Sequence, residues 1–114
     1  MTAMTSAREL TVRTWSARAD AEGAGSYTRY FTATLVPELR KLPGFEGACL
    51  LRRDLDGAGT VELTAHTLWA SPAAIRAFAG DDITVAIVEP QARAMLLDFD
   101  RTATHRIVAA DARG

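Results

Sequence analysis

The sequence predicts an α+β fold, in which a four-stranded antiparallel sheet carries helices on one face. Three observations lead there. Two stretches alternate polar and apolar residues with the period of two that belongs to strands, and two more are strand-like runs. The stretch after the first of them repeats its apolar and aromatic residues at intervals of three and four, and the second and third are joined through an Asp-Gly turn.

Leu10 to Ala17 (LTVRTWSA) alternates, with Leu10, Val12 and Thr14 on one side and Arg13 and Trp15 on the other, and is the first strand. Ala19 to Ser26 (ADAEGAGS) is small, polar and glycine-bearing, which predicts a loop with Ser26 as the N-cap of a helix. Tyr27, Tyr30, Phe31, Thr34, Leu35, Glu38, Leu39 and Leu42 then form a mostly apolar stripe that faces the core. Pro37 interrupts this helix, at a cost of about 3 kcal/mol in an ideal one, so a kink or break is expected near Val36, and Pro43-Gly44 ends the element.

Phe45 to Arg53 and Thr60 to Trp69 read as the second and third strands, a hairpin closed by Asp54 to Gly59 (DLDGAG). Ser71-Pro72 is an N-cap followed by proline at the first helical position, and Gly80 closes that short helix. Asp81 or Asp82 is expected to cap a further turn through Ile83 to Val88, and PQARAMLLDF from Pro90 a helical segment around Ala94, Met95 and Leu97. Thr102 to Ala109 alternates again as the fourth strand. The order β-α-β-β-α-β is the split βαβ, or ferredoxin-like, arrangement. Its second sheet face needs cover that 114 residues cannot supply, which points to a twofold homodimer.

The length suits one domain, residues 1–114 with a core of about 10–109, and 48% apolar and 24% charged residues are those of a folded globular chain. Thirteen basic against fourteen acidic residues give a net charge of -1 and no basic field for phosphate backbones, so nucleic acid is not an expected partner. Met1 to Leu10 lacks a signal-peptide core and nowhere do about 18 apolar residues run together, so a cytoplasmic chain without a membrane span is expected. Cys49, the single cysteine, is expected as a small buried hydrophobe. The bias to 22 alanines and 12 arginines against one lysine fits a GC-rich bacterial coding sequence.

No metal site is expected: His66 and His105 stand 39 positions apart without His or Cys at ligand spacing. Asp54, Asp56 and Gly59 resemble the start of a calcium loop, but the twelfth position is Ala65 where a bidentate Glu is required. GAGS at Gly23 to Ser26 matches neither a phosphate loop nor a dinucleotide fingerprint, and no GxSxG occurs. What remains is a set of amphipathic side chains: Trp15, Tyr27, Tyr30, His66, Trp69, Arg101 and His105. Aromatic rings with one or two histidines hold a flat apolar ligand, and imidazole moves a proton near neutral pH. Equally, a histidine in an apolar strand serves as a hydrogen-bonded structural residue.

Trp15, the Tyr-x-x-Tyr of Tyr27 and Tyr30, LPGFEGACLLRR at Leu42 to Arg53, LTAHTLWASPAAIRAFAGDD at Leu63 to Asp82 and His105 resemble the antibiotic biosynthesis monooxygenase-like family of the dimeric α+β barrel superfamily. The similarity runs from about Leu10 to Ala109. Its most specific pieces are Pro-Gly-Phe and the block Trp69, Ser71, Ala74, Phe78, Ala79, Gly80. The resemblance implies a homodimer with sheets packed face to face, each protomer keeping an apolar pocket between sheet and helices. It also implies a cofactor-independent monooxygenase, without flavin, metal or haem, that oxidises an aromatic or quinol-type small molecule with O2 in secondary metabolism. On that reading His66 or His105 is the base, and Tyr27, Tyr30, Trp69, Arg101 and Trp15 position the substrate or stabilise its anion.

Haem-degrading members of the superfamily use an Asn on the first strand, a Trp near the end of the third and a His on the following helix. Trp69 matches the Trp, but the chain has no Asn and no histidine between Pro72 and Gly80. Two other functions stay open beside the oxygenase: a cyclase or isomerase moving a proton on a polyketide-like substrate, and a non-catalytic small-molecule-binding dimer.

Overall fold

A computed structural model describes residues 9–55 and 57–112. Residues 1–8, within the segment read for a signal-peptide core, and Asp56 of the calcium-loop comparison lie outside the described residues. The sheet is antiparallel throughout, in the order β2-β3-β1-β4 with β5 also on β1.

β1 (Thr11–Asp20) is longer than its alternation alone implies. Thr11, Arg13, Ala17 and Ala19 point inward and are buried, while Val12, Thr14, Ser16 and Arg18 face the opposite side. The expected loop at Ala19 to Ser26 is instead the end of β1 and the start of α1 (Ala21–Tyr30). Asp20, not Ser26, is the N-cap, its carboxylate accepting the Gly23 N–H at 2.7 Å. Small residues make this early start feasible, because a Cβ at Gly23 would lie 2.2 Å from the Met95 carbonyl oxygen.

The interruption expected at Pro37 takes a defined form: a π-helical turn, Phe31–Leu35, leads into α2 (Val36–Leu39). The Val36 N–H bonds the Phe31 carbonyl, five residues back, and the widened turn lets the chain pass a proline that has no N–H to donate. β2 (Phe45–Leu55) and β3 (Thr60–Trp69) pair along their whole length, with Gly57 at φ +70° in the connecting turn. Every odd residue of β3 from Val61 to Trp69 is buried under the helices and every even one lies on the other side. Cys49, expected to be buried, is exposed on that other side, opposite His66.

Ser71 caps as expected, its hydroxyl accepting the Ala74 N–H at 3.2 Å, and a 3₁₀ turn (Ala73–Ile75) continues into α3 (Arg76–Ala79) up to Gly80. The turn expected over Ile83 to Val88 is not helical. A single turn does form at Ile83 and Thr84, the Asp82 carboxylate accepting from the Thr84 N–H and its carbonyl from the Val85 N–H, but it stops at Val85, which bridges to Thr102. α4 (Pro90–Arg93) is shorter than expected and ends before Ala94.

The last strand is also broken. β4 (Asp98–Phe99) and β5 (Thr104–Ile107) share the outer edge of β1, and the register jumps by two residues between them. Arg18, paired with Asp98 and at 2.9 Å with Asp100, ties the first piece down.

Candidate functional site

The inward face of β1 and β3, α1 with its π turn, Phe78 of α3 and the segment from Ile87 to Ala92 enclose a cavity in two parts. The outer part holds about 500 Å³ and opens past Glu38, Glu89 and Gln91. The inner part, about 40 Å³, reaches Arg13, Trp15, Ala65 and Thr67 on the sheet. Tyr27, Leu35, Leu39, Phe78 and Ile87 line both, so the two adjoin along a shared wall, the smaller one on the strand side.

The stripe of α1 supplies the aromatic wall. Ring centroids of Trp15 and Tyr27 are 6.1 Å apart, those of Tyr27 and Tyr30 5.6 Å, and those of Tyr27 and Phe31 6.4 Å. Tyr27 is only 3% exposed, and its hydroxyl forms no hydrogen bond with a described residue. Burial, with Tyr30 adding to it, pushes the Tyr27 hydroxyl pKa well above the usual range, and burial followed by Glu89 raises that of Tyr30. Both tyrosines are therefore neutral hydrogen-bond donors at physiological pH.

At the inner end lies Arg13, 4% exposed and without an ion pair to any described carboxylate. Burial lowers its pKa to about 10, so it remains charged at neutral pH. Its Nη1 donates to the Ile83 carbonyl and, at 3.0 Å, to His105 Nε2, while its Nη2 donates to the Val85 carbonyl at 3.0 Å. The guanidinium also stands 5.6 Å from the centre of the Phe78 ring. The turn at Ile83 and Thr84, which stops at the Val85 bridge and does not go on as a helix, is what aims those two carbonyls at it.

Of the two histidines, His105 belongs to this side, directly opposite Arg13 across β1 and β5. A guanidinium only donates, so Nε2 must accept and the proton of a neutral imidazole sits on Nδ1. Burial first, and the charge of Arg13 second, hold the His105 pKa below its ordinary value. His105 lines neither part of the cavity; it touches the site through Arg13. His66 stands on the opposite face of the sheet, level with Thr14 and Cys49, in a shallow hollow with Val12, Arg106 and Ile107.

Trp69 is fully buried beside Leu39, Ile75 and Ala79, its indole N–H donating to Thr67 Oγ1 at 2.9 Å and its ring stacked on Phe78 at 6.3 Å. It backs the cavity wall without lining it. Trp15 does line the inner part, with its N–H donating to the Asp100 carbonyl at 2.7 Å. Arg101 is exposed and lines neither part; its backbone carbonyl accepts from Ala86. The structure thus gathers Trp15, Tyr27 and Tyr30, places His105 and Trp69 behind them, and leaves His66 and Arg101 elsewhere. Arg13 and Phe78 are the additions. Arg13 had a signal, an arginine on the same side of an alternating strand as a tryptophan, whereas Phe78 reads as ordinary helix core.

No protein-family profile matches this chain, and no curated protein matches it in sequence. Solved structures do match in three dimensions. A Bacillus cereus protein that carries the name antibiotic biosynthesis monooxygenase superposes with a TM-score of 0.62 at 13% identity, over 93% of this chain and 99% of its own. A heme-degrading protein from Mycobacterium tuberculosis gives 0.52 at 22% identity, over 92% and 98%. A dimeric ferredoxin-like protein from an uncultured marine organism gives 0.56 at 10% identity, over 91% and 100%. At these identities the likeness concerns architecture, and this chain has the ferredoxin-like α+β fold that the antibiotic biosynthesis monooxygenase-like proteins share.

Proposed function

We propose that this chain is a monooxygenase that binds a flat aromatic or quinol-type molecule between sheet and helices and oxidises it with O2, without a bound cofactor. The observation that carries the reading is the aromatic-walled cavity of about 500 Å³, a volume suited to a small multi-ring molecule, adjoined by a smaller space that a buried cation lines. The likeness to the Bacillus cereus monooxygenase supports it. Chemically, a ring methylene flanked by electron-rich rings gives up four electrons in becoming a ketone. One oxygen atom of O2 enters the carbonyl, and the other leaves as water with the two displaced hydrogens.

The chain's part is to favour the substrate anion that starts electron transfer to O2. Arg13 lowers the pKa of a bound phenol or enol by opposite charge, Tyr27 and Tyr30 donate hydrogen bonds, and the apolar walls exclude water. His105 positions Arg13 and keeps it charged and fixed. His66, expected as an alternative base, lies on the face that a second copy would cover in the homodimer we also propose. Leu51, exposed by 45%, lies on that face, paired with Thr64. Haem fits this site poorly, because no histidine lines the cavity among the described residues.

A second reading, ligand binding without turnover, is favoured by one observation: the lone pair of His105 is already occupied by Arg13, which leaves the cavity without a free imidazole base. Oxygen uptake with a panel of anthrones, naphthols and quinols separates the two. Uptake above the spontaneous rate that Arg13→Gln loses and His66→Ala keeps supports the oxygenase. Tight binding of the same compounds without uptake supports the binder.

A further inference from the structure

We infer that the inner end of the cavity is a receptor for an anionic oxygen group, so that the ligand is a planar aromatic anion seated head-first on Arg13. This deepens the reading of the cavity given above, but it concerns binding and not oxygen chemistry.

A guanidinium carries five N–H groups, and three are engaged, by Ile83, His105 and Val85, which leaves Nε–H and one Nη2–H. An Nε–H and an Nη2–H together are the pair that a carboxylate takes side-on. The charge is 96% buried by exposed area yet has only neutral partners among the described residues, namely two carbonyls and an imidazole forced to be neutral. An isolated buried charge is costly unless something completes it. The space beside it has the size of a head group: about 40 Å³ holds roughly two or three heavy atoms and excludes a ring. The buried Tyr27 hydroxyl, on the wall of the same space, is a neutral donor without a partner among the described residues.

Polarity sets the direction of entry. Glu38 and Glu89 at the mouth repel an anion, and Arg13 at the far end attracts it. The ring system is then left in the wide part, between Tyr30, Leu35 and Phe78.

The test is calorimetric titration of the full chain, in anaerobic buffer, with 2-naphthoate and with 2-naphthylmethanol, its neutral counterpart. The expected result is about tenfold or greater preference for the carboxylate, reduced to near unity in Arg13→Gln and Arg13→Met. A nitronaphthol held above its own pKa distinguishes a phenolate head from a carboxylate head, and tighter binding of either anion than of the alcohol supports the receptor. Neither anion bound more tightly than the alcohol in the wild type, no binding of any anion, or a preference that survives in a folded Arg13→Gln overturns it. The wild-type comparison decides by itself if both variants fail to fold. Because turnover is not measured, the oxygenase reading fails or stands separately.

Discussion

Replacing His105 by Leu isolates what the imidazole does for Arg13. The variant keeps an apolar side chain of similar bulk in β5 but removes the acceptor of one Nη1–H, while the guanidinium stays buried with no carboxylate partner among the described residues. A hydrogen bond to a charged group contributes about 1.5–3 kcal/mol, and its loss leaves a buried donor unsatisfied, so the variant is expected to be about 2 kcal/mol less stable. For a chain of this length that is a fall in Tm of roughly 8 °C, measured at one fixed protomer concentration.

The pH dependence sharpens the test. Folding favours neutral His105, whose folded pKa lies below its unfolded value, so the unfolded state binds more protons between the two. Its stabilising contribution is therefore complete above the ordinary histidine pKa of about 6.5 and declines as pH falls through the interval below it. His105→Gln, whose side-chain carbonyl accepts from Arg13 without titrating, should keep most of the stability and lose this decline relative to wild type. A His105→Leu variant within about 0.5 kcal/mol of wild type, or an unchanged acid decline in His105→Gln, would refute the acceptor role.

Three further outcomes are expected. Tyr27→Phe removes a buried hydroxyl that has no partner among the described residues, so stability by denaturant titration should hold or rise by up to about 1 kcal/mol while affinity for phenolic ligands falls; a clear loss of stability argues for a structural hydroxyl. Gly23→Ala should destabilise, against the usual gain of about 1 kcal/mol for this change in a helix, because its Cβ would meet the Met95 carbonyl oxygen at 2.2 Å; a higher Tm contradicts the close packing described. Leu51→Asp, on the open face of β2, should shift light-scattering mass from two chains towards one without unfolding the protomer, and a mass unaffected by this charge argues against the face-to-face dimer.

Strand periodicity carried much of the fold. β3 was legible residue for residue, since its alternation matches the alternating burial of Thr60 to Trp69. The Ser71 cap and the Pro37 interruption were equally local, each following from the hydrogen-bonding capacity of one side chain or one missing N–H. The start of α1 was not. Asp20 and Ser26 are both competent caps, and the choice fell to Asp20 because Gly23 lets the helix pass under the Met95 carbonyl, a neighbour 72 residues away in sequence. Likewise the turn at Ile83 and Thr84 does not continue as a helix towards Val88, because Thr84, Val85 and Ala86 find partners between Arg101 and Ala103.

The candidate site divides along the same line. Trp15, Tyr27 and Tyr30 could be named from the sequence because each lies on an apolar face set by the local period of its own element. The two histidines could not be told apart, since both lie mid-strand in alternating stretches, and pairing alone puts His66 on the open face and His105 opposite Arg13. The sequence by itself determined most of the element types, their order along the chain and the aromatic wall, because backbone periodicity and turn chemistry act over a few residues. Only the tertiary structure decided that a buried arginine, an imidazole 92 positions away and two carbonyls about 70 positions away would meet. Such a cluster is stable only where strand register brings all its members to one place, and no local rule encodes that register.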